Sequence, residues 1–412
     1  MKFRLLFVCS LLHILINIYA QEDDKDYNNR PFQVTFITPL GTNGTGSPRI
    51  INKLSFNILA GYNGGVDGFE LGGFLNLSDD YVKGVQIAGF GNIVGGDIEA
   101  AQIAGFMNID GGEVNGVQTS GFMNIVGGEV SGLQTSGFIN IAGGNAEAVQ
   151  IGGFANLSDA LEGVQVSGFG NIAEETNGVQ VAGFGNLAEE SEGVQVAGFM
   201  NISDDINGVQ VAGFLNAASD IEGIQTAGFL NIARNVKGVQ IAGFINICDT
   251  INGIALAPIS IVKKGGYRRF EFWADETFFL NTSFKIGVKH FYTVYTLGFK
   301  PVNADFNTGI GFGVGTNIAL TSDNSIDLEA HTYIVNRYFW EKWYYNSLNQ
   351  LRVSFNYQLS EHFSIFAGPT FNILVADINT YADEIAPPWA FRIADRKDSI
   401  RGWFGFNIGM RF

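Results

Sequence analysis

Apolar and polar residues alternate with a period of two between Gly65 and Gly253, inside a phrase that keeps returning: GVQIAGFGNI, GVQTSGFMNI, GVQVAGFGNL, GVQVAGFLNA, GVQIAGFINI. Twelve phenylalanines, from Phe74 to Phe244, mark the copies; they stand sixteen residues apart up to Phe154 and fifteen apart after it. An asparagine follows each phenylalanine by two, from Asn76 to Asn246, and a glutamine precedes most of them by four, from Gln86 to Gln240, with Glu70 in that place in the first copy. A period of two is a strand signal, and the GG, SD, EE and DD pairs between phrases are turn signals. The period is too short for helical repeats, which need about 33–47 residues. One copy therefore predicts one coil of a β-solenoid. Stacking then places Asn on Asn, Gln on Gln and Phe on Phe at about 4.8 Å. Each coil is expected to bury its Val/Ile face and its phenylalanine against its neighbours.

A second geometry also fits the length of the phrase, because a membrane-spanning strand needs about 9–11 residues. In that alternative the repeats form one large β-barrel with the rest of the chain. Two features favour the solenoid. No Trp or Tyr lies between Tyr81 and Tyr267, whereas membrane barrels carry aromatic girdles. Gly, Phe and Asn also recur at fixed places, as in-register stacking demands.

Beyond Ile254 the repeat ends in ALAPISIVKKGGYRR, and 254–266 reads as a junction. From Tyr267 to Phe412 the alternation changes character. Ile310, Phe312, Val314, Thr316, Ile318 and Leu320 share one face, opposite Gly309, Gly311, Gly313, Gly315, Asn317 and Ala319. Leu351, Val353, Phe355, Tyr357 and Leu359 oppose Arg352, Ser354, Asn356 and Gln358. Phe404, Phe406, Ile408, Met410 and Phe412 oppose Trp403, Gly405, Asn407, Gly409 and Arg411. Strands of roughly ten residues, apolar on one face and small or polar on the other, are the pattern of outer-membrane barrels. A soluble sandwich alternates too. The terminal Phe412 tips the balance, since it resembles the C-terminal signature of Gram-negative outer-membrane barrels. Eight strands are expected, near 267–274, 278–289, 291–300, 308–320, 325–336, 349–359, 362–376 and 400–412. The connections 321–324 and 360–361 are short; 337–348 and 377–399 are long. Eight strands enclose an interior filled by side chains. If the short connections are periplasmic turns, Tyr267 enters from the periplasm. The two N-terminal strands, at 32–39 and 53–61 within 32–64, could raise the number to ten.

The fold class is therefore all-β: a solenoid of 15–16-residue coils over 65–253, then an antiparallel outer-membrane-type barrel over 267–412. Residues 1–20 read as a signal peptide, with Lys2 and Arg4 before the apolar run Leu5–Ile18, and 21–31 as a flexible leader. The mature chain then keeps one cysteine, Cys248, expected to be a small packed residue.

The phrase GVQxAGFxNI, the exit GIALAPISIV and the segment FEFWADETFFLNTSFKIGVKHFYTVYTLGF together resemble the bacterial surface-repeat family. Its members are secreted or outer-membrane proteins of Gram-negative bacteria with tandem G-[VL]-Q…N repeats and a β-rich C-terminus. The resemblance spans about Phe32 to Phe299. It implies a cell-envelope location and no settled activity.

Charge narrows the partners. The chain has a formal net charge of −16, and the repeats hold 22 acidic residues against Lys83, Arg234 and Lys237. Such a surface repels nucleic acid. Stacked carboxylates such as Asp79/Asp80 and Asp204/Asp205 suggest divalent cations, but solubility is the simpler account. No metal, cofactor or catalytic residue is assigned. His290, His331 and His362 are scattered, and no CxxC, HExxH or phosphate loop occurs. His331 shares the polar face of its strand with Asp327 and Glu329, as a lumenal network would. The sequence thus predicts a non-enzyme: an outer-membrane protein displaying an acidic repeat domain for contact, adhesion or spacing. Its expected partners are outer-membrane lipid and an unidentified glycan or protein ligand. A channel or transporter is the alternative.

Overall fold

The computed structural model describes residues 26–302, 305–336, 346–377, 385–395 and 398–412. The expected signal peptide and Trp340 and Trp343 of the long connection lie outside them. The fold is nearly all β: a parallel solenoid of about 14 turns and a closed eight-stranded antiparallel barrel. Packing divides the chain into two compact units, one ending at Gly223 and the other running from Ile224 to Phe412.

In the first unit most coils have a longer and a shorter strand, such as Val82–Ala88 and Gly91–Val94, and in Ala155–Ser167 and Gly170–Ala182 the short strand of one coil runs on into the long strand of the next. Apart from Leu40–Gly41, which pairs antiparallel with Asn28–Ile37, the strands pair in parallel with the same strand of the next coil, so Val114 faces Val130, Gln118 faces Gln134 and Asn124 faces Asn140. The stack starts earlier than the repeat phrase implies. Asn28–Ile37 pairs in parallel with Ile50–Asn63, which pairs in parallel with Gly65–Gly72. The two N-terminal strands are therefore the first coils and not barrel strands, and part of the expected leader is ordered strand. Their sequence hides this because they lack the phrase; end coils of a stack are atypical. The glycine opening most phrases suits the stacking: Gly178 has φ +149° and a Cβ there would lie 2.0 Å from the Gly163 carbonyl oxygen, while Ala100 and Ala148 take the place in two copies.

The interior corrects the expected burial. Glutamine and asparagine are inside, with Gln86, Gln102, Asn92 and Asn108 fully buried beside Val82, Ile98, Val114 and Val130. The phenylalanines instead form an outer corner: Phe138 is 38%, Phe154 40% and Phe169 45% exposed. Each ring lies 4.7–5.0 Å from the next, with planes within 19° of parallel, from Phe74 to Phe214. The ladders exist as expected, but Phe stacks on the surface while the amides fill the core. Alternation alone does not say which face is inside.

In the second unit the last coils run through Ile259–Val262, and the barrel begins at Tyr267. Its eight strands are Tyr267–Ala274, Leu280–Val288, Phe291–Val302, Asp305–Ala319, Asn324–Asn336, Ser347–Ser360, Phe363–Asp377 and Asp398–Arg411. Sequential strands pair antiparallel, and the first closes on the eighth from Glu271↔Arg411 to Ala274↔Ile408. Phe270 and Phe412 extend the seam by exchanging backbone hydrogen bonds of 3.1 and 2.8 Å. A short strand, Phe391–Asp395, adds to the edge of the eighth. The barrel packs on the last coil, where the hydroxyls of Thr293 and Tyr295 donate to the Pro258 carbonyl at 2.8 and 2.6 Å.

Candidate functional site

The barrel is apolar outside and polar inside. On the sixth strand Leu351, Val353, Phe355, Tyr357 and Leu359 are exposed, while Arg352, Ser354 and Asn356 are buried. On the eighth, Phe404, Phe406, Ile408, Met410 and Phe412 face out, and Trp403, Asn407 and Arg411 face in.

Three carboxylates and three bases meet in this interior among the described residues. Glu271 comes from the first strand, Lys285 from the second, Asp327 and Glu329 from the fifth, Arg352 from the sixth and Arg411 from the eighth. Lys285 Nζ lies 2.7 Å from Glu271 and 2.8 Å from Asp327, and it also contacts Glu329. Arg352 reaches Glu271 at 3.0 Å through Nη2 and Glu329 at 2.8 Å through Nε. Arg411 Nε donates to Glu271 at 2.6 Å and its guanidinium also meets Asp327. The Tyr292 hydroxyl donates to Glu329 at 2.7 Å, and Asn317 donates to Asp327 at 2.6 Å. Formal charges cancel, three against three, so each buried ion has opposite charges around it, the condition under which such burial is tolerated. His331 Nε2 lies 2.9 Å from Glu329, which places it in the lumenal network its strand pattern suggested.

A second layer of the interior is apolar. Phe278, Tyr333, Leu348, Leu374 and Trp403 pack together. Gly298 and Gly309 make room for Phe278, whose ring lies 2.7 and 2.4 Å from where their Cβ atoms would be. Phe278 was expected in a strand; instead it turns inward from the loop, with Asp275 Oδ1 accepting from its backbone N–H at 2.6 Å. Beside it, Glu276 accepts from Trp403 Nε1 and Asn372 Nδ2, each at 2.8 Å, and from the Phe406 N–H at 2.9 Å. Charged and apolar layers together fill the lumen with side chains.

In the solenoid the buried amides form two ladders of opposite polarity. Each glutamine Nε2 donates back to the preceding coil, as Gln102 does to Gln86 at 3.0 Å and Gln118 to Gln102 at 2.9 Å. Each asparagine Nδ2 donates forward, as Asn92 does to Asn108 and Asn108 to Asn124, both at 2.9 Å. A backward ladder needs an acceptor at its start, and Glu70 supplies it: its carboxylate accepts from Gln86 at 2.8 Å and from Asn57 at 2.7 Å. Burial pushes the Glu70 carboxyl upward in pKa.

Asp110, one of the 22 acidic residues of the repeats, is fully buried. It occupies the inward slot held by Val94 and Val126 in the adjoining coils. Gln102 donates to it at 2.8 Å and Gln118 donates to its other oxygen. Burial pushes its carboxyl up to about 8. Its slot, four residues after Phe106, was the signal in the sequence. Cys248 is buried as expected, and burial pushes its thiol up to about 11, leaving it unreactive.

The acidic pairs Asp79/Asp80 and Asp204/Asp205 are brought into no cluster. Among the described residues no group of three His, Cys, Asp or Glu is placed to hold a metal ion. His290 and His362 lie exposed in short turns, away from His331. No family model, curated protein or solved structure matches this chain.

Proposed function

We propose that the protein is an outer-membrane component of a Gram-negative envelope, in which the barrel is a plugged anchor and the repeats are a non-catalytic contact or spacing domain. The observation that carries this reading is the barrel's reversed polarity: rows of exposed Phe, Ile, Leu and Val outside, and a closed network of ions inside. In water that outer surface would be an aggregation liability; in hydrocarbon it is the stable arrangement. The filled lumen favours an anchor over a channel. The resemblance to the surface-repeat family and the signal-like N-terminus support the same location.

The connections 289–290, 320–323 and 361–362, the C-terminus and the junction 263–266 all lie at one end of the barrel strands; of the four connections at the other end, those after Ala274, Asn336 and Asp377 are longer, and the one after Val302 is as short. If short turns are periplasmic, the repeats join the barrel on the periplasmic side. Deleting Arg401–Phe412 tests the anchor, because it removes the closing strand and the terminal phenylalanine. Loss of heat-modifiable, membrane-inserted protein is expected; normal insertion would refute the reading. Protease shaving of intact cells tests the side: the repeats should survive, and their loss with the barrel protected would place them outside.

A further inference from the structure

The solenoid has an apolar outer surface of its own. Beside the phenylalanine corner, the residues flanking each buried glutamine point outward, and Ile103 is 42%, Val149 39% and Ile151 44% exposed. Monomeric soluble proteins seldom expose contiguous apolar patches beyond a few hundred Å². An aromatic side chain offers roughly 150–250 Å², so the seven phenylalanines about 40% exposed between Phe74 and Phe214 leave about 560 Å², and half-buried Phe90, Phe122 and Phe184 with exposed Ile103, Val117, Val149 and Ile151 bring the face to about 800 Å². That is about what each partner contributes to a stable interface.

We propose that this Phe/Val/Ile face is a self-association surface, on which a second copy of the chain packs ladder against ladder; the proposal rests on the repeats being a contact domain. Three features point to a second copy. Its ladders have the same pitch by construction of the fold, so rows of side chains can interdigitate along the whole face, as in dry interfaces between paired sheets. The area is sufficient. The charge is segregated: from Asp79 to Asp205 every acidic residue except buried Asp110 falls five to nine residues after a phenylalanine, half a coil away from the corner. Two copies can therefore meet at their apolar faces with their carboxylates turned away. Stacked rings show their edges outward, which denies a glycan the ring faces on which sugars stack. The acidic edge offers no attraction to anionic lipid headgroups.

The test uses the full chain with Ile151→Cys carrying a nitroxide, reconstituted in liposomes at high dilution; buried Cys248 stays unlabelled. Incorporation into lipid reports on the anchor separately. Dipolar coupling between labels of two copies is expected, and it should vanish when Ile103→Glu and Val117→Glu are added with the circular dichroism unchanged. Both positions face outward, and Ile103 stands in the row where Thr119 and Thr135 already carry hydroxyls, so a polar group on this face is compatible with folding. An uncoupled label relaxed by oxygen dissolved in lipid would assign the face to the bilayer, and one relaxed by a water-soluble nickel chelate would leave it open to solvent. Either result overturns the proposal.

Discussion

The solenoid and the barrel both carry buried polar groups under an apolar exterior, yet they satisfy those groups in opposite ways. In the solenoid the main side-chain partner is the same residue one coil away: Asn171 donates to Asn186 at 2.9 Å, and Asn186 to Asn201 at 2.9 Å. In the barrel the partners are remote and all different: Arg411 meets Glu271, 140 positions earlier, and Arg352 meets the same carboxylate across 81 positions. The first arrangement is local and neutral, so stability should accumulate coil by coil. The second is a charged knot among five strands, so it forms together or not at all. Three changes to buried groups and one surface control should separate the two.

The largest effect is expected in the barrel. Arg352→Leu removes one cation from the knot and leaves Glu271 and Glu329 short of positive charge inside the lumen. Breaking a buried ion pair from one side costs about 3–5 kcal/mol. Urea unfolding of the refolded protein in micelles should show the barrel transition shifted by that order, with the repeat transition in place. Equal shifts in both would dissolve the contrast.

The next effect belongs to Asp110. Its carboxyl is held near 8 when folded and has an ordinary value when unfolded, so the folded state retains a proton the unfolded state has lost. Stability is thus full below about pH 4 and falls as pH rises toward about 8, by on the order of a few kcal/mol. Asp110→Asn keeps an acceptor for one glutamine and should flatten this slope. Denaturation at pH 5 and pH 8 reads it: wild type should be weaker at pH 8 and the variant nearly unchanged. A wild type stronger at pH 8 would mean the carboxylate is ionised in place.

Asn171→Leu should cost about 1–3 kcal/mol, because Asn156 loses the acceptor for its amide and Asn186 loses an incoming donor. Hydrogen exchange should rise in the adjoining coils and fade with distance along the stack. Exchange rising uniformly through the repeats would show a cooperative unit instead. Glu190→Gln, at an exposed position that opens a strand, should stay within about 0.5 kcal/mol of wild type in the same denaturation assay.

Much of this fold was legible in the residues. The fixed spacing of Phe, Asn and Gln gave the coil, because in-register stacking demands identity at each slot. The alternation over 309–320, 351–359 and 403–412 gave the barrel and its outward face. What stayed hidden was orientation in the solenoid. A period of two is the same whether glutamine or phenylalanine faces in; only the amide ladders, which bond each glutamine and asparagine to its counterpart in the next coil, make the polar interior stable. Asp110 and Glu70 were hidden for the same reason, being buried carboxylates at positions that composition assigns to an acidic surface. In the barrel the polar face was visible strand by strand. The pairing of Glu271 with Arg352 and Arg411 depends on register across the closed sheet, which no local pattern encodes.

The claim on which the account rests is that the barrel's apolar face meets lipid. It is tested by fluorescent labels at Phe355→Cys, outward on the sixth strand, and at Glu361→Cys, in the neighbouring short turn, in liposomes containing brominated acyl chains. The account predicts strong quenching at position 355 and little at position 361. Equal and negligible quenching at both would contradict it and make the barrel a water-soluble domain.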